Sequence, residues 1–113
     1  VIPIKLTLGQ HQEAFSRDLV KLLAKAFELG YEARMGEVQR TVEQQKIYVQ
    51  TGRSQTMNSM HLNKTAADIF FTLKGVLVYP QELGDFWESL SKENRWGGNW
   101  KTFKDKPHFE RYI

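Results

Sequence analysis

Three histidines, thirteen acidic residues and no cysteine define the chemistry open to this chain of 113 residues. Without thiols, a Cys nucleophile, a disulfide framework and a thiolate zinc finger are all excluded, so any metal must be held by imidazole and carboxylate. His11 lies at the start of an amphipathic stretch among Gln and Glu and reads as a solvated surface residue. His61 and His108 have more informative neighbours. Asp68 follows His61 across Asn63-Lys64-Thr65 and stands between Ala67 and Ile69, in an apolar run that should be buried. A buried carboxylate is costly unless it is paired or ligates a metal. His108 follows Pro107 and lies one short turn after Asp105.

Two neutral imidazoles and one carboxylate would make three ligands with a fourth position open for water, the set that catalytic zinc needs. Asp105, near the ligands but not among them, could then act as a base on that water. Plainer readings stand beside this one. His61 could be a loop histidine hydrogen-bonded to Ser59, Asp68 a strand-end cap, and His108 a histidine packed beside Phe109. Spacing alone leaves both open.

The elements that must position these residues follow from periodicity. From about Gln10 to Leu29 the apolar set Phe15, Leu19, Leu22, Leu23 and Ala26 has helical spacing, and Gly30 supplies the stop. Tyr31 to Val38 alternates like a short strand. Thr41 followed by Gln44 suggests a capping box, opening a helix that ends before Gly52. Arg53 to Asn63 is polar and without period, a loop. Ala66 to Thr72 and Gly75 to Tyr79 read as two short strands turning at Lys74-Gly75. Pro80 suits a first helical turn, with Phe86, Trp87 and Leu90 on the buried side. The stretch from Trp96 mixes glycine, aromatics and charge and ends in a strand-like His108 to Ile113. Interleaved helices and hairpins predict a small α+β fold, a short antiparallel sheet with flanking helices, in one domain spanning 1–113. A metal site would lie between strand and loop.

Composition narrows the partners. The net charge is +3, from sixteen basic and thirteen acidic residues that are spread along the chain with no basic run. Nucleic-acid binding is therefore not expected. No stretch approaches the ~18–20 apolar residues of a membrane span, and no signal peptide is visible. The chain begins at Val1, so leading residues could have been removed.

Four segments carry a resemblance. Ser59-Met60-His61 with Ala66 and Asp68 fits an S-x-H-x(4)-A-x-D pattern, and Asp105-Lys106-Pro107-His108-Phe109-Glu110 fits acid-x-x-His followed by an aromatic. Trp96-Gly97-Gly98-Asn99-Trp100 fits W-G-G-x-W. Arg40-Thr41 with Gln44 or Gln45, Tyr48 and Gly52-Arg53-Ser54 fits R-T-x-x-Q…G-x-S. Taken in their order along the chain, over residues ~30–113, they resemble the M15 family of zinc peptidases, above all its bacteriophage endolysins that cut L-alanyl-D-glutamate bonds. The resemblance implies Zn2+ held by His61, Asp68 and His108, with Asp105 as general base. It also implies Arg40 as the contact for an oxyanion or a substrate carboxylate, since a guanidinium fork suits an oxygen pair.

By the same resemblance Ser59 stands close behind the ligands at the substrate site, and the substrate is the stem peptide of bacterial peptidoglycan. A D-Ala-D-Ala carboxypeptidase or dipeptidase and a wall-binding phage module without activity are the alternatives. A monomeric phage or prophage lysin, reaching the wall from the host cytoplasm or carried on the virion, is the setting it implies. Trp96 and Trp100 are expected to pack the core or wall the cleft, where Trp100 could stack on substrate. Arg53 reads as a loop cation or a second substrate clamp, and Glu110 as a surface or hydrogen-bonding residue. Lys101, Lys104 and Lys106 would put positive charge around the mouth. Two departures from the family pattern stand out: Lys64 occupies a usual glycine position, and the acid is Asp105 rather than Glu.

Overall fold

Thr7 starts the first helix. Its hydroxyl accepts from the Gln10 amide while the Gln10 side chain accepts from the Thr7 amide, a reciprocal cap that opens α1 (Leu8–Glu28) earlier than its apolar spacing alone predicts. The computed structural model describes residues 5–54 and 59–113. After α1 come β1 (Glu32–Met35), α2 (Val42–Gln50), a 3-10 turn (Met60–Asn63), β2 (Ala66–Leu73) and β3 (Val76–Val78). Then follow α3 (Gln81–Leu90), β4 (Asn94–Trp96), a second 3-10 turn (Gly97–Asn99) and β5 (His108–Arg111). The α+β expectation holds, with one antiparallel sheet and helices packed on it.

β2 is the long central strand, and its eight residues serve three partners. β1 pairs along one edge; β5 pairs with its first half and β3 with its second. β4 closes the sheet beyond β5. Alternation along β2 and β5 divides the side chains between two faces. Ala67, Ile69, Phe71 and Phe109 enter a core completed by Phe15, Leu22 and Ala26 of α1, Leu83 and Trp87 of α3, and Trp96. Asp68, His108 and Glu110 are left for the opposite face.

Sequence reading misplaces several elements, each for a physical reason. It assigns no strand to Asn94–Trp96, because three residues with one apolar member carry no period. Long-range contacts make β4: Asn94 Nδ2 donates to Asp18 Oδ2 and to the Trp87 carbonyl, both at 3.0 Å. The expected loop from Arg53 to Asn63 contains the 3-10 turn at its end, and residues 55–58 of it lie outside the described residues. The strand expected over Tyr31 to Val38 is regular only over Glu32–Met35. His11 is half-buried, accepting from Arg111 Nε at 3.1 Å, and is not a freely solvated residue. Among the described residues no helix is long and apolar enough to cross a membrane.

Candidate metal centre and cleft

Strand register brings the first two candidate residues together. In the β2–β5 ladder Asp68 pairs with His108 and Ala66 with Glu110, so Asp68, His108 and Glu110 share one face. The 3-10 turn immediately before β2 adds His61. Ser59 caps that turn, its Oγ accepting from the His61 amide at 3.3 Å. Gln12 of α1 pins its far end by donating to the Asn63 carbonyl. Lys64 ends the turn at φ 58° and ψ 33°, the left-handed conformation that favours glycine. Its amide bonds back to His61, so the chain reverses into β2 with His61 facing Asp68.

Both imidazoles are oriented from behind. Nδ1 of His61 lies 3.0 Å from the Val38 carbonyl, which can only accept, so this nitrogen carries the proton. Nε2 of His108 lies 2.6 Å from Glu110 Oε1 and donates to that carboxylate. The remaining ring nitrogens, His61 Nε2 and His108 Nδ1, face each other at 3.2 Å. They also face Asp68 Oδ1, at 3.2 and 3.6 Å. That oxygen is buried with no hydrogen-bond partner.

Two lone pairs and a bare carboxylate oxygen meeting in a buried site attract a cation. The three atoms lie within 4.8 Å of one another, so each residue can offer one ligand atom to a metal. Ligands at the ~2.0–2.2 Å distances of a tetrahedral zinc would stand roughly 3.3 Å apart, close to the spacing here. The donor set fits. Without a metal, the same surroundings retain a proton. Burial disfavours charge on His108, but the facing Asp68 carboxylate, the hydrogen bond to Glu110 and the nearby Asp105 outweigh it, and its pKa is pushed up to about 9. Burial also disfavours the Asp68 carboxylate, yet the two histidines hold its pKa far below the usual range.

Asp105 stands beside this cluster, its Oδ2 3.9 Å from His108 Nδ1. Its backbone is tied at both ends. The Asp105 amide donates to the Gly97 carbonyl at 3.0 Å, and its own carbonyl accepts from the His108 amide at 3.1 Å. Burial raises its carboxyl pKa, an effect only partly offset by His108. The glycines before it serve geometry: a Cβ on Gly97 would lie 2.1 Å from the Asp105 carbonyl oxygen, and one on Gly98 2.3 Å from the Trp96 ring. The W-G-G-N-W stretch thus seats Trp96 in the core and the Asp105 loop against Gly97. Trp100 walls the cleft, its ring centroid 5.1 Å from that of His108.

The cluster opens into a cleft of about 510 Å³ whose lining includes Arg40, Tyr48, Arg53, Ser59, Trp100 and Asp105. Arg40 is mostly engaged with protein. Its Nε donates to Glu37 and its Nη1 to Gln45, both at 2.8 Å, while Nη2 lies 3.8 Å from Asp68 Oδ2. Gln45, not Gln44, is the buried glutamine of this segment, and it also donates to Ser54. Glu37, absent from the expected site, holds Arg40 and accepts a hydrogen bond from the Tyr48 hydroxyl. Glu110 is buried behind His108 rather than on the surface. Period-two alternation from His108 signals that position; nothing local signals Glu37. Lys101, Lys104 and Lys106 do not line the cleft, and Lys106 lies over the Tyr79 ring.

Comparison with known proteins agrees with this geometry. The model of an M15 peptidase family described as D-alanyl-D-alanine carboxypeptidase matches residues 52–111. Over 96 residues the chain is 38% identical to an L-alanyl-D-glutamate peptidase of Listeria phage A118, covering 80% of this chain and 34% of that protein. It therefore spans about a third of that relative's length. The crystal structure of Serratia marcescens L-Ala D-Glu endopeptidase ChiX superposes with a TM-score of 0.65 at 27% identity, covering 97% of this chain and 90% of that one.

Proposed function

The chain belongs to the M15 family of peptidases, and from that membership and the cleft we propose that it is a zinc-dependent hydrolase of peptidoglycan stem peptides, cutting between L-Ala and D-Glu. One observation carries the metal part of this reading: two oriented imidazole lone pairs converge on a buried, unpartnered carboxylate oxygen. The bond assignment follows the names of the phage and Serratia relatives.

His61, Asp68 and His108 would hold the zinc, with Val38 and Glu110 fixing the rings. When bound, zinc supplies a Lewis acid that activates water and polarises the scissile carbonyl. Asp105 would take a proton from the attacking water and pass it to the leaving amine. Burial suits it to the role of base, because a carboxyl raised above its ordinary value binds a proton more strongly. Arg40 lies beside Asp68 with Nη2 turned toward it, placed to steady that ligand and to meet negative charge developing on the substrate. Ser59 holds the His61 turn at the cleft wall, and Trp100 offers a ring edge or face to the peptide. Acting on the wall, the chain would serve as a phage lysin.

The description of the matched family favours a second reading, removal of a terminal D-Ala. Elemental analysis tests the first step common to both. One zinc per chain is expected, lost in His108→Ala, with hydrolysis abolished by chelator and restored by zinc. Metal-free protein that remains active in chelator would refute it.

A further inference from the structure

Arg53 is the cleft cation without an acid. Its guanidinium carbon lies 5.2 Å from the centroid of the Tyr48 ring, and the residue is exposed and lines the same cleft as the metal cluster. No Asp or Glu of the chain lies within ion-pair distance of it among the described residues, and residues 1–4 and 55–58 contain neither acid. Arg40, on the same tyrosine ring at 4.6 Å, is by contrast bonded to Glu37 and Gln45 and close to Asp68. Arg53 is also held in place. Its amide and that of Ser54 both donate to the Tyr48 carbonyl, at 2.8 and 3.0 Å, closing α2 so that the side chain emerges over the tyrosine.

The remaining charge in the cleft is largely negative. Glu37, Asp68, Asp105 and Glu110 all line it, and the three lysines expected at its mouth do not. An anionic substrate entering there needs a cation that is not already neutralised. A peptide cut between L-Ala and D-Glu and continued through the D-Glu side chain has such an anion, because the D-Glu α-carboxylate is left free next to the scissile amide.

We infer that Arg53, braced on Tyr48, binds that α-carboxylate and makes the cleft selective for stem peptides whose D-Glu is not amidated. This rests on the stem-peptide reading above. A guanidinium donates two parallel hydrogen bonds to a carboxylate, whereas a carboxamide accepts at one oxygen and presents its own NH2 donor to the second.

The test compares two muropeptides identical except for a D-Glu α-carboxylate or α-carboxamide. Wild-type protein is expected to cleave the acid with a kcat/KM ~10–100-fold above the amide, the range of one charge-assisted pair. Arg53→Gln should remove that preference by raising KM for the acid with little effect on the amide, and Arg53→Lys should recover part of it. An acid-to-amide ratio unchanged in Arg53→Gln overturns the inference. If the wild type cleaves neither muropeptide, the hydrolase reading fails by itself. Titration calorimetry with the γ-linked D-Glu–L-Lys dipeptide and its α-amide then decides the role of Arg53. Tighter binding of the acid, lost in Arg53→Gln, supports it; equal binding by both proteins refutes it.

Discussion

Gly97→Ala isolates the placement of Asp105 from its chemistry. Gly97 is not in the left-handed region, so alanine is conformationally acceptable and only space is at issue. The added methyl would lie 2.1 Å from the Asp105 carbonyl oxygen, 2.9 Å from its carbonyl carbon and 3.0 Å from its Cβ. Ordinary contact between carbons is ~3.5–4.0 Å, so the Asp105 backbone must retreat by roughly 1 Å. Overpacking of this kind costs ~1–3 kcal/mol of stability. A ~1 Å misplacement of a reacting group costs on the order of 10²-fold in rate. The expected result is a folded protein that keeps its zinc and loses ~10²-fold in kcat on muropeptides.

The decisive control is the double variant. Asp105→Asn alone should lose ~10²–10⁴-fold. If Gly97→Ala acts by displacing Asp105, adding it to Asp105→Asn should cost little more, because the group it displaces no longer works as a base. Gly98→Ala makes the contrast, since its methyl meets the Trp96 ring at 2.3 Å and should lower stability without a particular effect on rate. Full activity in Gly97→Ala, or multiplicative losses in the double variant, would refute the reasoning.

Lys64→Gly should be neutral or stabilising by up to ~1 kcal/mol in chemical denaturation, because φ 58° strains a side chain that glycine lacks, while Lys64→Val should destabilise. Glu110→Gln should weaken zinc affinity ~10–100-fold in competition with a chelator, through the lost charge behind His108; unchanged affinity would remove Glu110 from the account. Asp105 must be ionised to act, and burial raises its pKa in the free protein, so kcat/KM should fall on the acid side through a value above the ordinary 3.8 of an aspartate. A pH profile flat down to that value would contradict the role.

The fold class and the residues of the candidate site were legible in the sequence; how the chain brings those residues together was not. Asp68 stands out because a carboxylate in an apolar run needs a partner, while His61, Asp105 and His108 stand out through the motifs that carry the resemblance, and the structure brings all four together. Asp68 and His108 are distant in sequence, and only the β2–β5 register makes them neighbours; no local pattern encodes that pairing. Glu110 reads from the sequence as a surface or hydrogen-bonding residue, since a strand's polar face is usually solvated, and the second holds: its carboxylate accepts from His108 Nε2. Here that face is the cleft floor. β4 has no readable period because long-range partners, β5 and Asp18, hold it, and Glu37 lies in an irregular stretch where its bonds to Arg40 and Tyr48 follow no repeating pattern. Lys64 stands at a usual glycine position of the family, and there its backbone is left-handed.

Digestion of purified muropeptides, with the new termini read by mass spectrometry, tests the central claim most directly. Zinc-loaded protein should release fragments with a new amino-terminal D-Glu, matched by fragments ending in L-Ala. Asp105→Asn, with the same zinc content, should release almost none. Release of terminal D-Ala alone, or no new termini from any muropeptide, would contradict the assignment.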